Sequence, residues 1–168
     1  NGYNGSAAEA IRYSADNGAV ISQNSWGYSF DWDNDGHLNR EETEAALAAT
    51  IDGTMKAAVD YFIKYAGCDA DGNQKADSPM KGGIVIFAAG NENIANGAPA
   101  NYEKILAVGS MELSGYKADY SNYGDWVDIC APGSGILSTL PDDSYGNQSG
   151  TSMACPHEIG RASCRERV

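Results

Sequence analysis

Residues 83–90 form an uninterrupted apolar segment, Gly-Ile-Val-Ile-Phe-Ala-Ala-Gly, that ends in glycine. Such runs are typical of a central strand in a parallel sheet, because helices on both faces of the sheet bury both sides of the strand. Residues 104–109 and 126–130 repeat the pattern, and residues 19–22 form a further short apolar run. The sequence therefore predicts a mostly parallel sheet with several buried strands.

Two stretches between these strands have the apolar spacing of helices. Ser6 to Glu9 has the spacing of a capping box, so we expect a first helix to begin there and to end at residues 17–18, Asn-Gly. A second helical stretch carries apolar residues from Met55 to Ile63 and has a terminal glycine at position 67. Helices that alternate with buried strands indicate one α/β domain with its sheet covered on both faces.

The composition narrows the classes of partner. The 168 residues carry a net charge of -12, and the acidic side chains are concentrated between Asp31 and Asp77. This charge argues against nucleic acid or an anionic membrane surface as a partner, and it suits an extracellular surface or cation binding. No apolar run approaches the length that spans a membrane, so we expect no membrane insertion in this segment.

The four cysteines follow no metal-binding or disulfide pattern. We expect Cys68 to be the exposed one, and Cys130 and Cys155 to be buried because their neighbours are apolar.

Residues 158–168 differ from the rest of the chain. They hold three of its five arginines, and their string resembles the translation of a sequencing adapter. We therefore assign residues 1–157 to one domain and interpret 158–168 as an adapter-derived artefact.

The most specific chemical motif lies at residues 150–157, Gly-Thr-Ser-Met-Ala-Cys-Pro-His. Ser152 enters a helix of small residues, where backbone N–H groups and the helix dipole favour a developing negative charge. The segment 88–91, Ala-Ala-Gly-Asn, ends a strand with a glycine that leaves room for a ligand. Asn91 could then project an amide donor beside that ligand, so the two segments together indicate a nucleophile with an oxyanion site.

These two motifs resemble those of the subtilisin-like serine peptidases. Shorter segments appear in the order of that family, among them residues 24–27, Asn-Ser-Trp-Gly, and 120–124, Tyr-Ser-Asn-Tyr-Gly. The resemblance covers residues 6–157. It implies a subtilisin-like three-layer α/β fold with a mostly parallel central sheet, incomplete at both the N- and the C-terminus. It further implies a secreted or cell-surface serine endopeptidase that acts on proteins or peptides and needs no cofactor for catalysis.

The resemblance also assigns roles to residues of this chain. Ser152 would be the acylated nucleophile, and Asn91 with the Ser152 N–H would form the oxyanion hole. Ser25, Trp26 and Gly27 would pair with the substrate backbone as an added strand. Ala88, Ala89 and Gly90 would form the facing wall of the P1 pocket, which holds the substrate side chain before the cleaved bond.

No general base is recognisable in the chain. In this family the order is Asp, then His, then Ser, so we expect both partners upstream of residue 1 and predict that this fragment alone is inactive. His157 lies five residues after Ser152, which on a helix turns it about 140° away. It matches the structural histidine of the family, and His37 lies in an acidic loop that matches no catalytic motif.

The acidic loop at residues 31–42 matches the twelve-residue calcium-loop template at its diagnostic positions. Its oxygen ligands would be Asp31, Asp33 and Asp35, the His37 carbonyl, Asn39 through a water, and bidentate Glu42. Asn39 and Glu42 also have the spacing of a capping box for a following helix, which is the alternative interpretation. The sequence thus predicts a structural calcium site in an insertion.

Two other functions remain open. The α/β hydrolases also place a serine at a strand-to-helix turn, but there Asp and His follow the serine, whereas here only His157 and the adapter-like tail follow. The chain could also belong to a non-catalytic pseudopeptidase or a calcium-binding module of the same fold. Upstream sequence would separate these from an active peptidase.

Overall fold

A computed structural model describes residues 3–160 of the chain. In these residues it contains four helices and six strands, and a further helical turn at residues 157–160. In chain order they are α1 (Tyr3–Asp16), β1 (Ile21–Asn24), α2 (Arg40–Ala48), α3 (Gly53–Tyr65), β2 (Ile84–Ala88), β3 (Leu106–Met111), β4 (Ile129–Pro132), β5 (Ile136–Leu140), β6 (Ser144–Gln148) and α4 (Thr151–Ala154).

The first four strands form one parallel sheet in the order β1-β2-β3-β4. Their register aligns Asn24 with Phe87 and Ala88 with Val108, so the carboxyl ends of β1, β2 and β3 lie at one edge. β5 and β6 form a separate antiparallel hairpin. The predicted mostly parallel α/β sheet is confirmed.

Two apolar cores on opposite faces of this sheet give the domain three layers. On one face α1 and α3 pack against β2 and β3, with Phe62 and Phe87 fully buried. On the other face α4 packs against the same strands, and Ile86 and Ala154 are fully buried there. Neighbouring residues of β2, such as Ile86 and Phe87, thus face different cores, which explains why this strand is apolar throughout.

The helices α2 and α3 each begin at a side-chain cap. The Asn39 side chain accepts hydrogen bonds from the N–H groups of Glu41 and Glu42, and the Glu42 carboxylate accepts one from the Asn39 N–H. Asp52 caps α3 by accepting from the N–H groups of residues 54 and 55. These bonds satisfy N–H groups that a helix start leaves without intrahelical partners.

Three details of the sequence prediction are wrong. α1 begins at Tyr3, so Ser6 lies inside the helix and is not its N-cap residue. Cys68 is buried, because its thiol folds back onto the end of α3 and lies 3.6 Å from the Ala66 carbonyl oxygen. Cys130 is exposed, because successive side chains of a strand point to opposite faces and the next residue of β4, Ala131, is the buried one. Cys155 is buried as expected, and Cys164 lies outside the described residues.

Two further expectations concern membrane insertion and the adapter-like tail. Between residues 3 and 160, no helix combines the length and the apolar character needed to cross a bilayer. Most of the adapter-like segment, residues 161–168, lies outside the described residues, so its interpretation stays a prediction.

Candidate functional site

The predicted nucleophile lies at the carboxyl ends of the parallel strands. Ser25 directly follows β1, residues 89–91 follow β2, and Ser152 is the second residue of α4. This edge is where open α/β sheets place their ligands. The fold therefore brings together three segments that are separated by more than 60 residues in the sequence.

Two hydrogen bonds join Ser152 to Ser25. The Ser152 hydroxyl donates to the Ser25 carbonyl oxygen at 3.1 Å, and the Ser25 hydroxyl donates to the Ser152 carbonyl oxygen at 2.7 Å. The Gln23 side-chain amide in turn donates to the Ser25 hydroxyl oxygen at 2.5 Å. These contacts fix the turn that carries Ser152 against the end of β1.

Thr151 connects the end of β2 to α4. Its side chain is fully buried, its backbone N–H donates to Asn91 Oδ1 at 2.8 Å, and its hydroxyl donates to the same oxygen at 2.9 Å. The Gly90 N–H donates to the Thr151 hydroxyl oxygen at 3.1 Å. The carbonyl side of the Asn91 amide is therefore fixed, which leaves its Nδ2 on the opposite side.

Two donors at this point have no partner among the described residues. They are Asn91 Nδ2, on an exposed side chain, and the Ser152 N–H, in the first turn of α4 where intrahelical partners are lacking. Donors of this kind stabilise negative charge on a carbonyl oxygen that is attacked by a nearby hydroxyl. The arrangement is chemically suited to acyl transfer.

A cleft of about 200 Å³ opens beside Ser152. Five of the six residues predicted to bind substrate line it, and these are Trp26, Gly27, Ala88, Ala89 and Gly90. The sixth, Ser25, lies next to the cleft and bonds to Ser152 instead. The Trp26 ring packs edge-on against Phe87, with ring centroids 4.8 Å apart, and this contact holds the wall against the core.

Sequence reasoning missed the residue that organises the loop after β2. Asn122 is almost completely buried, and its Oδ1 accepts from the N–H groups of Glu92 and Ile94. Its Nδ2 donates to the Ala89 carbonyl and to Glu92 Oε2. Asn122 belongs to the segment 120–124 noted in the sequence, but a sequence pattern does not show which loop its side chain reaches.

The two histidines of the chain do not bond to Ser152. His157 is exposed, and its Nδ1 lies 2.9 Å from the Met153 carbonyl oxygen. The His37 N–H donates to Asp35 in the acidic loop. The Ser152 hydroxyl instead donates to a carbonyl, so no described residue is placed to take its proton.

The nearby thiol is not a competing nucleophile. Cys155 is fully buried, and its Sγ lies 3.7 Å from the Asn24 carbonyl oxygen. Burial raises the pKa of the Cys155 thiol. Because the thiolate is the reactive form, this cysteine stays neutral and inert.

The acidic loop brings three carboxylates together. Oxygens of Asp31, Asp33 and Asp35 lie within 4.8 Å of one another, although two of these side chains are exposed. The Asp31 carboxylate accepts from the N–H groups of residues 35 and 36. Partial desolvation and the neighbouring charge of Asp35 raise the pKa of Asp33. Such a group of oxygens could hold a hard cation.

The other two side chains of the predicted calcium loop are engaged elsewhere. Asn39 caps α2, and Glu42 is almost completely buried. One Glu42 oxygen accepts from the Trp32 N–H at 2.7 Å and the other from the Asn39 N–H at 2.9 Å. The structure therefore contains the capping box that was the alternative interpretation of these two residues.

Comparisons with known proteins agree with this geometry. The model of a family described as the subtilase family matches residues 1–160. Thermitase from Thermoactinomyces vulgaris is 48% identical over 83 residues, which cover 49% of this chain and 30% of thermitase. An extracellular protease from Xanthomonas campestris pv. campestris is 44% identical over 89 residues, covering 48% of this chain and 15% of that protein.

A solved structure of a subtilisin-like proteinase also has a similar fold. The crystal structure of a cold adapted subtilisin-like serine proteinase superposes with a TM-score of 0.61 and 25% identity. The superposition covers 95% of this chain and 46% of that one. The chain thus spans about half of the solved relative and less than a third of the two sequence relatives.

Proposed function

The chain belongs to the subtilase family of serine peptidases, and on that premise we propose that it is the nucleophile-bearing part of a serine endopeptidase. It would cleave peptide bonds of proteins or peptides through an acyl-enzyme on Ser152. One observation carries the proposal. The Ser152 hydroxyl lies at the cleft beside two donors without partners in the described chain, Asn91 Nδ2 and its own N–H.

The reaction uses these groups in order. The Ser152 oxygen attacks the peptide carbonyl carbon as its proton passes to a histidine base, and the carbonyl oxygen becomes an oxyanion. Asn91 Nδ2 and the Ser152 N–H donate to that oxyanion, which lowers the barrier because both donors are already oriented. The histidine then gives its proton to the leaving amine, and a water molecule hydrolyses the ester to restore Ser152.

The proposal includes a histidine and an aspartate in a segment upstream of residue 1. The family order supports this, as do the two histidines of the chain, which bond elsewhere. In subtilisin, a member of this family, loss of the catalytic histidine lowers kcat about a million-fold. We therefore expect residues 1–168 alone to be inactive.

The test is labelling by a fluorophosphonate probe, which reacts only with an activated serine. We expect no labelling of residues 1–168, and labelling of Ser152 when the chain carries its upstream segment. Ser152→Ala in the longer chain is the control and should abolish the signal. A folded longer chain that stays unlabelled would favour the alternative, a pseudopeptidase or calcium-binding module of the same fold.

Secretion is part of the proposal. The similarity to an extracellular protease supports it, as does the acidic surface with a net charge of -12. Fractionation of the source cells, followed by detection of the protein in the medium or on the cell surface, tests it. Retention inside the cells would contradict it.

We also propose a structural calcium site in the acidic loop. The carboxylates of Asp31, Asp33 and Asp35 are already within 4.8 Å of one another, which supports this proposal. The His37 carbonyl and a water on Asn39 would complete it. Glu42 could become a bidentate ligand only if it gives up its bonds to Trp32 and Asn39.

Calorimetric titration with calcium separates these contributions. If the three aspartates form the site, Asp33→Asn abolishes the binding heat. If Glu42 is also a ligand, Glu42→Gln weakens binding as strongly. Asp77→Asn, in a different loop, is the matched control and should bind as the unaltered chain does. Absence of any heat in the unaltered chain would disprove the site.

A further inference from the structure

Helix α2 supplies a wall of the cleft beside Ser152. Ala46 of this helix is 2% exposed and lines the cleft, as do residues 28–30, which precede the acidic loop. The whole segment 28–51, which holds the acidic loop and α2, thus contributes to the site at both of its ends.

Asn96 fixes this wall to the loop that follows β2. Its Nδ2 donates to the carbonyl oxygens of Ala46, Leu47 and Ala49 at 2.9, 3.2 and 2.9 Å. The last carbonyls of a helix lack regular intrahelical partners, so these bonds satisfy the end of α2, where the Ala46 carbonyl also accepts from the Ala49 N–H at 3.3 Å. Asn101 donates to Asn96 Oδ1 at 2.7 Å and to the Ala49 carbonyl oxygen at 3.1 Å.

The same loop supplies the adjoining surface of the cleft. Gly97 and Ala98 follow Asn96 directly, and both line the cleft. A Cβ atom at position 97 would collide with the Ala89 carbonyl and with the ring of Trp126, so this surface is held closely against its support. The Tyr28 N–H donates to the Ala98 carbonyl oxygen at 3.2 Å. Both ends of the 28–51 segment are therefore tied to residues 96–98.

The small volume of the cleft means that the position of α2 limits what the cleft can hold. At about 200 Å³ it has the volume of roughly seven water molecules, which is enough for one amino-acid side chain. Ala46 has a short side chain in a buried position, so a larger residue there must enter the cleft or displace its neighbours. The wall and the bound side chain compete for the same space.

We propose that α2, fixed by Asn96, sets the size of the substrate side chain that enters the cleft, with Ala46 as the specificity-determining residue. The preferred side chain is larger than that of alanine, because the short Ala46 side chain leaves the space open. Ile94 and Phe30 offer it apolar contact, and Glu92 lines the same cleft. The inference rests on the proposed function, since it takes the cleft to be the pocket for the residue before the cleaved bond.

The experiment measures binding of cleavage-product peptides, so it needs no catalysis. Acetyl-Ala-Ala-Xaa acids, with Xaa as Ala, Leu or Phe, are titrated into the full chain and followed by NMR chemical shifts. We expect the Leu and Phe peptides to bind at least about tenfold more tightly than the Ala peptide, because a single methylene in an apolar pocket is worth about tenfold or more and both side chains add several carbons. Ala46→Leu should remove that preference and leave the Ala peptide within twofold.

Ala48→Leu is the matched control, because Ala48 is exposed on the same helix and does not line the cleft. Its preference should equal that of the unaltered chain, and circular dichroism verifies that each variant is folded. A preference that survives Ala46→Leu in the folded variant would overturn the inference, as would an unaltered chain without preference. Asn96→Ala frees the wall and should reduce the preference without abolishing binding. A missing fluorophosphonate reaction in the longer chain would instead contradict only the proposed catalysis.

Discussion

Replacement of Thr151 by valine tests whether the contact between β2 and α4 is important to the stability of the domain. Valine has nearly the same shape as threonine, so Thr151→Val leaves no cavity and removes only the hydroxyl. That hydroxyl is fully buried, donates to Asn91 at 2.9 Å and accepts from the Gly90 N–H at 3.1 Å. After the change a methyl group stands where the hydroxyl was, so the half-buried Gly90 N–H has lost its acceptor.

A buried donor left without a partner costs about 1–3 kcal/mol. For a domain of this size each kcal/mol lowers the melting temperature by about 2–4 °C, so we expect a decrease of about 2–12 °C. Thermal unfolding followed by circular dichroism measures it. Thr50→Val is the control, because Thr50 is exposed. If Thr151→Val melts at the same temperature as Thr50→Val, the hydroxyl does not stabilise this contact and the reasoning is refuted.

Two predictions concern pH. Hydrogen bonds from Lys104 and Lys56 hold the pKa of Asp60 far below its usual range. The ionised Asp60 carboxylate therefore adds to the stability of the folded state above about pH 4, and this stabilisation is lost as the pH falls. Because these are surface ion pairs, Asp60→Asn should lower the free energy of unfolding, measured in urea, by only about 0.5–2 kcal/mol at pH 7. The difference between the variant and the unaltered chain should be smaller at pH 3. An equal difference at both pH values would contradict the prediction. Burial and the hydrogen bond to Asp52 raise the pKa of Tyr28 to about 12. Tyr28→Phe should therefore remove one phenol that ionises near pH 12 in an absorbance titration, and loss of a phenol that ionises near pH 10 would refute the assignment.

The sheet could be predicted from the sequence because its strands are buried on both faces. A strand such as residues 84–88 must be apolar at every position, and few other structures require that. The position of Ser152 at a helix start could be predicted for a related reason, since the segment around it, Gly-Thr-Ser-Met-Ala-Cys, is rich in the small residues that a helix start beside a ligand needs. Patterns of this kind are local, and local patterns are visible in one sequence.

The contacts that complete the site could not be predicted, because they join residues far apart in the chain. Asn96 reaches carbonyls about 50 residues away, and Asn122 reaches the loop after β2 from about 30 residues away. Neither spacing follows from a helix or strand period. The exposure of Cys130 could not be predicted either, since an apolar neighbourhood in sequence does not show which face of β4 is buried.

The anchoring of the 28–51 segment has a consequence for the engineering of the protein. Its start is fixed where Tyr28 bonds to Ala98, and its end is fixed where Asn96 holds the last carbonyls of α2. The loop between these points is largely exposed from Asp33 to His37. Exposed loops between fixed ends accept foreign sequence most readily. A peptide tag or a second binding module grafted at residues 33–37 would therefore be displayed next to the cleft with both ends of the segment still anchored, although it would replace Asp33 and Asp35 of the proposed calcium site.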